Sequence, residues 1–397
     1  MIQLAERLSR ISEPETIKMA KLSRELKAQG IDIVDLSIGE PDFDTPAHIK
    51  DAAKKAIDDG FTHYTPVAGY ADLRAAVSQK LKRDNGLDYT PEQIIVSTGA
   101  KQSIANAVLS IVDPGDEVII PTPYWVTYSE LVKLCQGEIK FVACSLENKY
   151  KITPEQLEAA ITPKTRLFMF SSPCNPTGAV YSREELEALA AVFMQHPEIY
   201  IIADEIYEYI NYVGKHESIA QFGNLKERTI IINGLSKGFA MTGWRLGYLA
   251  APAALAKAAD KIQSQFTSAT CSITQRAAIT ALTGPLDTAM AMVDEFRKRR
   301  AFIYKALSDI PGLQVIEPEG AFYMFPDVSA FFGKSANGAR VNNADELCMY
   351  LLHHAHVTMV TGSAFRQPDC IRISYANSME KLEEGMKRLR QGLEALK

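Results

Sequence analysis

Long apolar runs are missing from this sequence: no window approaches the roughly 18 uncharged apolar residues of a membrane-spanning helix, so no membrane span is expected. The opening residues carry Glu6 and Arg7 where a signal peptide needs its apolar core, which points to a cytoplasmic location. A basic block is missing too. Lys and Arg number 43 against 48 Asp and Glu, the net charge is -5, and the signs are interleaved, so nothing offers nucleic acid or an anionic membrane an electrostatic footprint. Small molecules or other proteins are the expected partners. Cysteine is sparse: Cys135, Cys144, Cys174, Cys271, Cys348 and Cys370 are scattered with no CxxC or Cys/His spacing, and read as reduced thiols rather than a disulfide frame or zinc site. His353, His354 and His356 crowd together without a carboxylate or Cys at ligand spacing. They read as a partly exposed helix end with one ring packed, and no metal is expected.

What is present is an ordinary globular balance, 47% apolar and 23% charged over 397 residues, enough for two to three domains at about 150 residues each. From 93 to 233 one unit repeats: a short β-branched run, a polar or glycine-bearing turn, then a segment of helical period. Such alternation predicts a largely parallel sheet covered by helices, with strands at 94–96, 118–120, 139–142, 167–170, 200–203 and 229–232. Ser182 with Glu185, and Thr153 with Pro154 and Gln156, are helix-start signatures. After Gly284-Pro285 a long charged helix is expected to bridge two domains. The last hundred residues then read strand (313–316), strand (322–325), helix (344–354), strand (357–360), strand (371–374), helix (379–396). The first fifty supply one helix (16–29) and one strand (33–37), too little for a core, and are expected to pack on the C-terminal unit. The fold class is therefore α/β, a mostly parallel central sheet with a smaller α+β domain built from both termini. Its expected boundaries are 1–47 for the N-terminal segment, 48–290 for the large domain and 291–397 for the small one.

In a parallel α/β sheet, ligands bind beyond the carboxyl ends of the strands. After 94–96 come Gly99, Ala100 and Lys101, small residues opening a helix whose free N–H groups suit a phosphate. After 167–170 comes Asn175-Pro176-Thr177-Gly178, after 200–203 Asp204-Glu205-Ile206-Tyr207, and after 229–232 Ser236-Lys237. Singly, Asp204 is a helix cap, Lys237 a surface lysine and Asn175-Pro176 a turn start. Together an anion cradle, an amide, a carboxylate and an amine match, in order and chemistry, one cofactor: pyridoxal phosphate.

With Gly39-Glu40-Pro41-Asp42-Phe43, Tyr64 followed by Pro66 and Gly69, Pro123-Tyr124-Trp125, Gly243-Trp244-Arg245-Leu246-Gly247 and Arg372-Ile373-Ser374-Tyr375, the chain resembles the class I aminotransferases of the aspartate aminotransferase superfamily, fold type I, over nearly its whole length. It looks most like their bacterial branch, some members of which also use prephenate. The resemblance implies that Lys237 holds the cofactor aldehyde and shuttles a proton, that Asp204 pairs with the pyridine nitrogen, and that Asn175 and Tyr207 bond the ring's phenolic oxygen. It implies Trp125 stacked on the ring, the phosphate on the backbone of Gly99 and Ala100 with Ser236 and Arg245 adding donors, and Lys101 among the cofactor-binding residues. It assigns the substrate to Gly39, Lys101, Trp125, Asn175 and Arg372, with Arg372 forking the α-carboxylate and Lys101 the distal carboxylate of aspartate. Tyr64 would reach the phosphate of a neighbouring subunit in a homodimer with shared sites. The expected reaction moves an amino group from an L-amino acid, aspartate first, to a 2-oxo acid such as 2-oxoglutarate. The alternatives are prephenate, aromatic or alanine-type partners, or a lyase on the same fold. One position departs from the family pattern: Gly234 stands where a phosphate-binding Ser or Thr is usual.

Overall fold

The computed structural model describes residues 4–13 and 15–397. Its central sheet has seven strands: β1 (Ile94–Ser97), β2 (Glu117–Thr122), β3 (Glu138–Ala143), β4 (Thr165–Ser171), β5 (Tyr200–Asp204), β6 (Thr229–Gly234) and β7 (Gly247–Ala250). Their spatial order is β1-β7-β6-β5-β4-β2-β3, and β7 alone runs against its neighbours. The inner strands are buried along their length because helices cover both faces, which is why they read as continuous apolar runs rather than alternating ones. β7 was not foreseen in the sequence. It is four residues long, follows the turn at Gly243-Trp244-Arg245, and owes its strand state to being wedged between β1 and β6.

The helices used below are α1 (Glu15–Ala28), α2 (Ala71–Lys80), α3 (Ala100–Ile111), α4 (Asp287–Ser308) and α5 (Met379–Ala395). Both helix-start signatures form: the Ser182 hydroxyl accepts from the Glu185 N–H while Glu185 accepts from the Ser182 N–H, and Thr153 and Gln156 do the same.

A second, three-stranded antiparallel sheet, in the order β9-β10-β8, uses β8 (Tyr323–Met324), β9 (Val360–Thr361) and β10 (Ile371–Ser374). The N-terminal segment joins it: the Ser374 N–H donates to the Leu36 carbonyl at 2.8 Å, Val34–Asp35 pairs in parallel with Val357–Thr358, and Met19, Val34 and Leu36 share one core with Phe322, Ile373 and Leu389. α4 serves two cores, with Ala289 and Met292 in one and Phe296, Ile303 and Leu307 in the other.

Three expectations need correction. The strand expected at 313–316 makes only an isolated bridge from Gln314 to Asp327. The run at 357–360 is two short strands that diverge at Met359 into different sheets. The helix expected over 344–354 is α-helical only to Tyr350 and closes in a wider turn, Leu351–Ala355, before His356 adopts φ 54°. His353 and His354 are exposed there, and His354 lies against the Tyr350 ring at 5.1 Å. Among the described residues, no helix is long and apolar enough to cross a membrane.

Candidate active site

Register explains why the strand ends meet. Ser171 at the end of β4 lies opposite Asp204, and Asp204 lies opposite Ile232, so the segments leaving β4, β5 and β6 emerge side by side. They open into a cavity of about 420 Å³ lined by all the residues named from the sequence except Gly99 and Tyr64. Gly99 sits just behind it, at φ 85°, where a Cβ would collide with the Arg245 guanidinium. Tyr64 is fully exposed, away from this pocket.

The charges are lopsided. Lys237, Arg245, Arg372, Lys101 and Arg24 line the cavity, and among the described residues Asp204 is the one acid that does so. Arg372, on β10, is 3% exposed and has no carboxylate partner: it donates to Asn175 Oδ1 at 2.9 Å and to the Ser37 carbonyl at 2.7 Å, and its buried Nε has no partner. Burial pushes its pKa below the ordinary guanidinium value. A buried cation left without a counter-ion is costly, and a guanidinium fork has the geometry that suits a carboxylate or phosphate. Lys101 lies over the Trp125 ring at 5.1 Å, its ammonium held below its usual range by burial and by Arg245.

Lys237 donates to the Gly39 carbonyl at 2.6 Å. Burial, opposed by Glu40 and aided by Arg372 and Arg245, brings its pKa down to about 8, which favours the neutral, nucleophilic amine. Asp204 moves the other way, raised to about 6 by burial despite the bond it accepts from Tyr128 at 2.7 Å. Above that value it is ionised at a cost that a cationic neighbour would relieve. Tyr207 shares a 2.8 Å hydroxyl contact with Tyr323, and Arg372 stacks on Tyr323 at 4.5 Å.

Gly234 has a steric reason. A Cβ there would lie 2.8 Å from the Gly247 Cα and 2.9 Å from the Leu246 carbonyl, so the hydroxyl usual at this position has no room. Gly247 is itself pressed against the backbone of Gly99 and Ala100, so the anion cradle, β6 and β7 are packed backbone to backbone.

The sequence reading missed Tyr128, Tyr323 and Arg24. Tyr128 offered one usable signal, its place three residues after Trp125, where its N–H closes a turn on the Trp125 carbonyl. It also left Glu205, Glu208 and His216 without a role, although their ligand-type atoms lie within 4.8 Å of one another and all three are buried.

The family model for aminotransferase class I and II matches residues 31–389. An aspartate aminotransferase of Bacillus subtilis is 45% identical over 395 residues, 99% of both chains, and an aspartate/prephenate aminotransferase of Nitrosomonas europaea is 45% identical over 98% of this chain and 99% of that one. The crystal structure of the aspartate aminotransferase from Rhizobium meliloti superposes with a TM-score of 0.97 at 42% identity, with both chains fully covered. That of the Thermus thermophilus aspartate aminotransferase with maleate gives 0.92 at 39%, covering 99% of this chain and 100% of that one.

Proposed function

The chain belongs to the class I and II aminotransferases, and on that premise we propose that it moves the amino group of aspartate to 2-oxoglutarate, with pyridoxal phosphate as cofactor, as a cytoplasmic homodimer. The observation that carries the dicarboxylate reading is the surplus of unpaired cations: Arg372 accounts for one carboxylate of the substrate, and Lys101 remains for a second. The maleate held by the Thermus relative, a four-carbon dicarboxylate, supports the same choice.

The residues fit the cofactor by chemistry. The open start of α3, with Ser236 and Arg245 beside it, suits a phosphate, Asp204 a pyridine nitrogen, Asn175 and Tyr207 a phenolic oxygen, Trp125 a flat ring, and Lys237 an aldehyde. When bound, pyridoxal phosphate supplies an electron sink for the pair released as the substrate C–H bond breaks. The chain does the rest. Arg372 orients the substrate through its α-carboxylate, Asp204 holds a proton on the pyridine nitrogen, and Lys237, once free, carries a proton off the α-carbon as general base. A pKa near 8 leaves an appreciable neutral fraction of that amine at physiological pH.

The deciding experiment is the visible absorption spectrum of purified protein before and after aspartate is added alone. Loss of the cofactor band with one equivalent of oxaloacetate is expected; an unchanged spectrum overturns the reading. The name of the Nitrosomonas relative favours prephenate as a second acceptor, which the same assay run in reverse tests directly.

The dimer reading rests on Tyr64. Tyr64 is fully exposed, so its ring is free to reach a second copy, as the family resemblance implies. Each site would then be completed across the two-fold. Sedimentation and assay at matched dilution should show activity lost as dimers dissociate, and a fully active monomer would contradict it.

A further inference from the structure

The segment leaving β5 does two jobs. It sets Asp204 and Tyr207 in the pocket, then crosses to the segment that leads into β8, where the Ala321 N–H donates to the Ile210 carbonyl at 2.8 Å and the Tyr212 N–H to the Glu319 carbonyl at 2.9 Å. Glu205 and Glu208 flank Tyr207 on this segment, are absent from the pocket wall, and are almost wholly buried. The proposed reaction uses neither. What faces them is a fully buried lysine.

Lys80, the last residue of α2, is 1% exposed. Its ammonium contacts Glu208 Oε1 and donates to Asn85 Oδ1 at 2.8 Å, while the Asn85 amide donates to Glu208 Oε2 at 3.0 Å, closing a three-membered ring of contacts. Asp84 lies 3.9 Å from the same ammonium, accepts from the Tyr209 hydroxyl at 2.7 Å, and is itself paired with Arg83. On the other side His216 Nε2 stands 3.1 Å from Glu205 Oε2, joining the two ends of the 205–216 segment. Glu205, Glu208 and His216 have the ligand types of a metal site, but the Lys80 ammonium already holds the cation's place against Glu208. The cluster is a set of ion pairs, and burying such a set costs more stability than an apolar core of equal volume. Its return is geometric: the hydrogen bonds from Lys80 to Asn85 and from Asn85 to Glu208 fix direction where apolar contacts allow sliding, while His216 faces Glu205 across a close contact that is not a hydrogen bond.

We propose that Lys80 and His216 are positioning residues of the reaction, clamping Glu208 and Glu205 on either side of Tyr207 so that the Asp204 carboxylate and the Tyr207 hydroxyl keep their places in the pocket. This rests on the aminotransferase reading. The test is the double variant Lys80→Met with Glu208→Leu, which removes the Lys80–Glu208 half of the clamp as a pair, so that neither charge is left buried without the other, studied as holoenzyme. The primary readout is the pH midpoint of the bound cofactor's visible absorption, which reports the surroundings of Asp204 and Tyr207 without turnover. A shift of about 0.3 pH unit or more, with kcat for aspartate down about tenfold and KM within about twofold, is expected. An unshifted midpoint with wild-type kcat, whatever happens to the melting temperature, makes the cluster structural only and overturns the proposal. If the double variant does not fold, Asn85→Ala, which removes the two hydrogen bonds that tie Lys80 and Glu208 through its amide, and His216→Gln, which removes the charge facing Glu205, are read the same way. A wild-type holoenzyme that binds cofactor yet fails to transaminate aspartate would overturn the function proposed above while leaving the spectral test of the clamp intact.

Discussion

Lys237 rests on the Gly39 carbonyl, not on a carboxylate, so no acid has to be stripped away before it reacts. Lys237→Ala should abolish turnover while cofactor still binds, because the α3 start, Arg245 and Asp204 remain; turnover at the wild-type rate would refute the assignment. Lys101 is a separate matter. A cation in the first turn of α3 faces the positive end of the helix, at a cost of about 0.3 to 1 kcal/mol, which its contact with Trp125, worth about 0.5 to 1 kcal/mol, roughly offsets. A charge-assisted bond to a distal carboxylate is worth about 1.5 to 3 kcal/mol, so Lys101→Ala should lower kcat/KM for aspartate roughly ten- to a hundredfold and leave alanine or phenylalanine nearly untouched. Equal losses for charged and uncharged donors would show that Lys101 serves the cofactor or the fold. The strand-end residues were legible because chemistry follows each strand at a fixed place in the chain. Tyr128 and Tyr323 were not: a tyrosine has the same local pattern whether its hydroxyl meets a buried carboxylate, another hydroxyl or a core carbonyl, and only the tertiary packing decides.

α1 illustrates how an element carries function that its residues do not announce. Met19 and Ser23 are buried, while Ala20 and Arg24, also one turn apart, line the mouth of the pocket. Lys27, on the next turn, lies 3.9 Å from Asp35, whereas Arg24 makes only a 3.3 Å contact with the Ala20 carbonyl of its own helix. An exposed ion pair is worth about 0.2 to 1 kcal/mol, so Arg24→Ala should raise KM for aspartate by no more than about fivefold, with kcat unchanged. A larger rise would place Arg24 in a desolvated contact with the substrate. The helix itself was readable from its period; its docking angle was not. The same limit explains the misread elements. β7 and the split at Met359 are decided by partners far away in sequence, whereas the two capping boxes, whose donors and acceptors are three residues apart, form as read.

At the scale of the whole molecule the site is a charge that the fold must carry, and the sign of that burden can be worked out. Asp204 has its pKa raised from 3.8 to about 6, so the stability it contributes is fully present below the lower value and is lost as pH rises to the higher one. Lys237 has its pKa lowered from 10.5 to about 8, so its contribution is fully present above the higher value and is lost as pH falls to the lower one. Between about pH 6 and 8 both penalties are in force, each of order 3 kcal/mol at about 1.4 kcal/mol per pKa unit. On the proposed reading both penalties would be relieved when cofactor is bound, because Asp204 would face a cationic nitrogen and Lys237 would no longer be a free amine. Asp204→Asn removes the acid but keeps an acceptor for Tyr128, which isolates the first penalty. In cofactor-free protein the melting temperature of Asp204→Asn should therefore exceed that of wild type by a margin that grows from pH 4 to 6 and then stays level to pH 8. A margin that does not change with pH would mean that Asp204 is ionised at little cost and that the site is tuned by the Tyr128 bond rather than by burial.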